Sequence, residues 1–413
     1  MNGKTGLVLG GGGSRGSYEL GVWKALRELG IEIHVVVGTS IGAINGALVA
    51  QGDYEKAASL WDRIETSRVV DVPVKEENPL KKKVWKTYRS FAVNFIKKGG
   101  TDTDPLKRTL HTFIEEAKVR KSDMEYGLVT VEMDKNTPCE LFREDIPDGK
   151  MIDYMVASAS IYPAFKPYKI GGARYLDGAY YDNLPVKMAL EKGADHIIAV
   201  DLDAFGVVRK EMLALANHLT CIRCYWNLGP TLVFDREVIR RNIRLGYLDT
   251  LKAFGVYEGC AFTFSRDFAG HVTEQMRSYL PLAKVLEKGG VGFVLDKLFA
   301  KQVEKIFEEH GMAGQDEKTE ALVCAEVAGE IFGLDSERIY SYDTWQEHLR
   351  ACVKETEART LADLADRRSR AVMAGRVIAG MVERPEEQIA HAGISLLPET
   401  FLAGVYLAAG DMV

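Results

Sequence analysis

At 413 residues and 46% hydrophobic, the chain can bury a large core, and because single cores stop growing near about 250–300 residues it reads as one large α/β domain plus an appendage. A net charge of −6 and a pI near 5.9 exclude a general nucleic-acid binder, whose footprint is a broad basic surface. Six cysteines scattered along so long a chain suit reduced thiols better than a disulfide framework, and Cys221 and Cys224 lack the second Cys or His pair of a zinc ribbon.

The stretch Met1 to Gly10 runs straight into a short apolar strand with no long apolar leader, so no signal peptide is read and a cytoplasmic location is expected. No window reaches the roughly 18 uncharged apolar residues that span a bilayer. From Thr5 to Val200 short apolar strands alternate with helical stretches. Leu7–Leu9 reads as a strand, Ser17 to Leu29 as a helix stopped by Gly30, Ile33 to Val37 as a strand, and Ile41 to Gln51 as a helix stopped by Gly52. Further strands are expected at Tyr126–Glu132, Lys169–Leu176, His196–Asp201 and Leu219–Trp226, with a helix over Leu184–Lys192. This alternation predicts a mainly parallel sheet covered by helices on both faces, a three-layer α/β/α domain over residues 1–255.

The rhythm breaks over residues 61–103, which read as an insertion. Between Leu80 and Lys98 it holds seven basic residues and no acid, with Leu80, Val84, Trp85, Tyr88, Phe91, Phe95 and Ile96 at helical spacing. That is a basic amphipathic helix. It suits either docking on the core with its lysines solvated or a lid that meets an anionic lipid surface, which would place the protein peripherally at the inner membrane face. Beyond about Gly255 charged helical segments dominate: His271–Glu287, Gly292–Glu309, Thr319–Phe332 and Ser341–Met381. Residues 256–413 are therefore a helical region with no legible motif. Its apolar tail, Ile394 to Val413, is expected to pack back on the protein or to form the interface of a homo-oligomer.

The chemistry concentrates in three places. Gly38-Thr39-Ser40-Ile41-Gly42 has the spacing of a nucleophile elbow, in which small residues flank a serine on a tight strand-to-helix turn. Gly10 to Gly13 follow the first strand, and glycines there let backbone N–H groups turn toward an anion at the start of a helix. Taken alone, Gly11-x-Gly13-x-x-Gly16 is also a dinucleotide fingerprint. A dinucleotide fold, however, needs an acid at the end of its second strand, where this chain places Ser40. None of the eight histidines stands at a strand's carboxyl end, whereas Asp177 follows a strand and precedes Gly178. Asp177 could therefore take the serine proton or cap a turn.

In this order, the blocks Gly-Gly-Gly-x-Arg-Gly, G-x-S-x-G and Asp-Gly-Ala closely resemble the patatin-like phospholipase family. Ala157 to Pro167 and Asp182-Asn183-Leu184-Pro185-Val186 resemble two further blocks of it, and Arg241 to Tyr247 a tail segment of bacterial members. The resemblance implies a lipid acyl hydrolase, of phospholipase A type or a related esterase, that acts on lipid or phospholipid without metal or cofactor. It implies Ser40 as nucleophile, Asp177 as base without histidine, and the Gly11, Gly12 and Gly13 amides as oxyanion hole. Arg15 would lie near the hole, with Gly16, Gly38, Gly42 and Gly178 in support. Ala179 stands where many members have a second glycine. An acyltransferase or general carboxylesterase would use the same dyad, and a silent lipid- or nucleotide-binding module would keep only the fold. If the basic helix meets lipid, replacing Lys81, Lys82, Lys83 and Lys86 with glutamine is expected to lower liposome binding while soluble-ester turnover persists. Unchanged binding at low salt removes the lid reading.

Overall fold

The computed structural model describes residues 3–69, 100–280, 293–310, 316–356, 365–383 and 397–413. The basic helix expected over Leu80–Lys98 lies outside them. The chain forms two compact units, Met1–Ala253 and Phe254–Val413. In the first, five strands run parallel: β1 (Lys4–Leu9), β2 (Val35–Thr39), β3 (Glu125–Glu132), β7 (Ala194–Asp201) and β8 (His218–Arg223), in the spatial order β3-β2-β1-β7-β8. Both faces of β1 and β2 are covered, as their unbroken apolar runs require. Val8, Val35, Val37, Ile197 and Ala199 pack with the helix Val186–Glu191 on one face. On the other lie α1 (Ser17–Glu28) and α2 (Ile41–Gln51), where Gly46 of α2 sits over Val36 and Leu9.

Three antiparallel strands extend this sheet, two of them from a segment read as one. Lys169–Leu176, expected as a single strand, is a hairpin of β5 (Tyr168–Ile170) and β6 (Ala173–Asp177), joined through Gly171 and Gly172. Both turn glycines have positive φ, 56° and 92°, the requirement of a tight hairpin turn. The other is β4 (Thr137–Phe142), which pairs along β3. Its Pro138 and partly exposed face hid it from the periodicity but suit a strand at a sheet edge.

β3 is the template for the site. Val129 pairs with Glu140 of β4 and Thr39 of β2, while the next residue, Thr130, pairs with Cys139 of β4 and Asp177 of β6. A strand has two edges and β4 occupies one along both residues, so β2 and β6 share the other and meet end to end. Their last residues, Thr39 and Asp177, are thus brought together by consecutive positions of β3.

Among the described residues of the second unit the helices are Phe268–Met276, Phe293–Glu309, Glu317–Phe332, Tyr342–Lys354, Arg367–Glu383 and Pro398–Ala409. The described residues of the segment Ser341–Met381, expected as one helical stretch, hold separate helices at Tyr342–Lys354 and Arg367–Glu383. The strands do not stop at Gly255 either, since Thr263–Phe264 and Ile339–Tyr340 pair in parallel. Nearly every side chain of Pro398–Ala409 is buried, so this apolar tail helix packs within its own unit, against Ala374 and Gly375 among others. Phe262, Phe264, Tyr340 and Trp345 form an aromatic core there, with ring centroids 4.9–5.0 Å from the Trp345 ring.

At Gly42, in the first turn of α2, there is no room for a side chain. A Cβ on Gly42 would stand 2.2 Å from the Leu9 carbonyl oxygen, and backbone cannot yield there as a flexible side chain would. Gly42→Ala is therefore expected to lower stability by about 1–3 kcal/mol or more, measured by chemical denaturation. Gly46→Ala in the same helix would meet Val36 Cγ2 at 3.3 Å and is expected to cost less. Equal losses would refute the packing account.

Candidate active site

Ser40 stands between β2 and α2 with φ 56° and ψ −123°, a backbone conformation that costs a non-glycine residue energy and persists only when its surroundings enforce it. Two contacts enforce it. The Ser40 N–H donates to Ser158 Oγ at 2.9 Å, and the buried Ser158 hydroxyl donates in turn to the Val129 carbonyl at 2.6 Å. Below the turn, the backbones of β2 and α2 pass so closely that a Cβ on Gly38 would lie 2.4 Å from the Gly42 carbonyl group. The small flanking residues are required sterically, as the elbow reading expects.

The turn aims the hydroxyl at Asp177. Ser40 Oγ donates to Asp177 Oδ2 at 2.8 Å, and the Ala179 N–H donates to Asp177 Oδ1 at 2.8 Å. Asp177 therefore caps the short turn Gly178–Tyr180 and at the same time accepts a hydrogen bond from the Ser40 hydroxyl. Gly178 fits because a Cβ there would strike the Val129 carbonyl oxygen at 2.3 Å. Asp177 is 1% exposed. Burial pushes its carboxyl up to about 7, against the opposing hydrogen bonds from Ala179 and Ser40. Nearby Asp182, also buried, is pushed up to about 7 for the same reason. Among the described residues no histidine lines the cavity that contains Ser40 and Asp177. His34 instead accepts from the Thr5 N–H through Nδ1, and His196 stacks on His218.

The three glycine amides are not equivalent. The Gly11 N–H is committed to Asn183, donating to its carbonyl at 3.3 Å and its Oδ1 at 3.2 Å. The Gly12 and Gly13 N–H groups have no hydrogen-bond partner among the described residues, while the next amide, that of Ser14, donates to the Thr231 carbonyl at 2.7 Å. Gly13 has φ 58°, which turns the loop into the short helix Gly13–Gly16. Gly16 packs against Ile41, where a Cβ would meet Cγ1 at 2.5 Å. Arg15 is a fastener. Its Nε donates to the Gly229 carbonyl at 2.7 Å and its Nη1 to those of Leu202, at 3.1 Å, and Asp203, tying the glycine loop to the loops that carry Phe205 and Thr231.

Gly11, Gly12, Gly13, Ser40, Asp177 and Asn183 open on a cavity of about 380 Å³ whose remaining wall is mostly apolar, including Ile41, Ile161, Phe165, Phe205, Leu232 and Phe234. Polar groups able to act on an ester thus converge at the edge of a space shaped for hydrocarbon. Sequence reasoning did not find the parts played by Ser158 and Asn183. Both lie inside motif blocks, but their contacts cross 118 and 172 residues of chain, and no spacing rule reaches that far.

Residues 7–190 match the family model described as patatin-like phospholipase. Over those residues the chain carries a patatin-like phospholipase domain with the patatin fold, a mostly parallel sheet flanked by helices. Lysophospholipase nte1 of Aspergillus terreus is 31% identical over 203 residues, covering 48% of this chain and 12% of the relative. Lysophospholipase NTE1 of Saccharomyces cerevisiae is 27% identical over 267 residues, covering 60% of this chain and 14% of the relative. The chain thus spans a small fraction, 12–14%, of the length of these relatives. A crystal structure of VipD from Legionella pneumophila is 12% identical, covers 100% of this chain and 92% of that one, and aligns with a TM-score of 0.37. Among the described residues no helix is long and apolar enough to cross a membrane.

The raised Asp177 carboxyl has a thermodynamic consequence. Between about pH 4 and about pH 7 the folded state keeps a proton that the unfolded state releases, so this group's contribution to stability is present at low pH and is lost as pH rises through about 7. Asparagine does not titrate, so the melting temperature of Asp177→Asn minus that of the wild type is expected to grow from about pH 5 to about pH 8. Asp182 titrates in both proteins and cancels in the difference. A difference that is flat or shrinks with pH would contradict a raised Asp177.

Proposed function

We propose that the protein is a lipid acyl hydrolase that cleaves carboxylic esters through Ser40 and Asp177. The observation that carries this reading is the Ser40 Oγ to Asp177 Oδ2 hydrogen bond of 2.8 Å at the rim of a cavity walled by apolar side chains. An acyl chain fits such a wall because hydrocarbon gains about 25 cal/mol for each Å² taken out of water. Its ester carbonyl then lies among the polar groups at the rim. The relatives named lysophospholipases favour a phospholipid or lysophospholipid as substrate.

Ser40 Oγ attacks the carbonyl carbon while its proton passes to Asp177. The oxygen that becomes negative is met by the Gly12 and Gly13 amides, donors already oriented and in need of no reorganisation. Collapse of the tetrahedral intermediate breaks the bond to the alcohol, which leaves with the proton from Asp177. Water then gives a proton to Asp177 and attacks the acyl-enzyme, and as the acyl–Oγ bond breaks and the fatty acid leaves, Asp177 returns that proton to Ser40 Oγ. A carboxylate of ordinary pKa near 4 is a weak base for a serine hydroxyl. One pushed up to about 7 by burial is a stronger one and is still about half ionised in neutral solution.

A fluorophosphonate probe is expected to label the wild type at Ser40 and to leave Ser40→Ala unlabelled. Asp177→Asn is expected to lose about 10²–10⁴-fold in kcat on a p-nitrophenyl ester, the usual range for a general base. Because only ionised Asp177 accepts the proton, kcat/KM is expected to rise with pH around a midpoint of about 7. A wild type that neither labels nor turns over the ester would refute the hydrolase reading.

A further inference from the structure

Asn183 is 2% exposed and bonds to the glycine loop through every polar group it can bring there. Its Oδ1 accepts the Gly11 N–H at 3.2 Å and its Nδ2 donates to the Gly11 carbonyl at 3.3 Å. Only one orientation of the carboxamide satisfies both. Its main-chain carbonyl also accepts from the Gly11 N–H, and its main-chain N–H donates to the Val207 carbonyl at 2.6 Å. The segment that ends in Asn183 begins at Asp177. It is pinned on the way where the Tyr181 and Asp182 amides donate to the Gly178 carbonyl and where Thr39 Oγ1 donates to the Asp182 carbonyl at 2.7 Å. The residue before the nucleophile, the base and the glycine loop are therefore joined by one short stretch of chain.

The Gly11 carbonyl and the Gly12 N–H belong to one peptide group, which is planar and trans, so they point in opposite directions. Holding that carbonyl on Asn183 Nδ2 fixes the direction of the Gly12 N–H. Gly11 permits the approach because a Cβ there would lie 2.3 Å from Asn183 Oδ1. From this geometry we infer that Asn183 is a positioning residue for the oxyanion hole: it spends the Gly11 amide and aims the Gly12 amide at the developing negative charge. The inference rests on the acyl-hydrolase reading above. It leaves Gly12 and Gly13 as the donors and removes Gly11 from that role.

Asn183→Asp keeps the shape but replaces the donor with an acceptor facing the Gly11 carbonyl, and Asn183→Ala removes the pair. Both are expected to lower kcat on a p-nitrophenyl ester by about 10²-fold, the loss typical of one oxyanion donor, with KM nearly unchanged. In Asn183→Asp the ratio of variant to wild-type kcat is expected to climb as pH falls, because a protonated carboxyl again donates to the Gly11 carbonyl. In Asn183→Ala the ratio should stay flat. Folded variants, checked by thermal melting, that keep wild-type kcat would overturn the inference, as would a pH-independent ratio in Asn183→Asp. The unmodified protein supplies a readout that needs no variant. Phosphonylation of Ser40 with a fluorophosphonate is expected to move the Gly12 amide resonance downfield and leave that of Gly11 nearly in place, and the reverse pattern overturns the assignment. Failure of the wild type to react with the phosphonate counts against the hydrolase reading instead.

Discussion

The site depends on one edge of one strand. β3 offers Val129 to the end of β2 and Thr130 to the end of β6, so a parallel strand and an antiparallel strand stop against each other with no gap between their registers. Ser40 is the next residue after β2 and Asp177 the last of β6, and the 2.8 Å bond between them follows from that abutment. A slip of one residue in either pairing would carry a side chain to the opposite face of the sheet. β4 secures the register from the other edge, pairing along β3 from Gly127 to Glu132, and Ser158 adds a contact between the Val129 carbonyl and the Ser40 amide.

Burial gives the pair its chemistry. The elbow conformation of Ser40 and the buried carboxylate of Asp177 both cost folding free energy, and cost of this kind concentrates at functional sites because the surrounding structure over-determines the geometry. Here the enforcing structure is close backbone packing at Gly38 and Gly42 and the ring of hydrogen bonds through Ser158, Ala179 and Asn183. The same dry surroundings that raise the Asp177 pKa would, in the proposed mechanism, strengthen the pull of backbone amides on a developing oxyanion, since both effects come from excluding water.

The strands β1, β2 and β7 were legible because both their faces are largely buried, which leaves short apolar runs between turn residues, whereas β8 was legible although most of it is exposed. α2 was legible from the elbow before it and Gly52 after it. The hairpin Tyr168–Asp177 did carry a signal, the Gly171-Gly172 turn pair, which the reading of one continuous strand passed over. β4 was not legible, because a half-exposed edge strand bearing Pro138 needs no apolar pattern. In the second unit, residues 339–340 were missed because two-residue strands lie below any periodicity.

The sequence alone singled out the residues of the proposed site. Ser40, Asp177 and the glycine loop sit in local motifs whose steric demands, a side chain that cannot fit or a turn that must be tight, are written in residue type and spacing. What only the tertiary structure decided is which groups in those motifs are free to act. Gly11, Gly12 and Gly13 are alike in sequence, yet Gly11 is bound to Asn183, which lies 172 residues away along the chain. Arg15 is likewise consumed by carbonyls at residues 202, 203 and 229. The physical reason is that a backbone amide acquires its role from whatever the fold places opposite it, and that pairing is set by sheet register and not by neighbours in sequence.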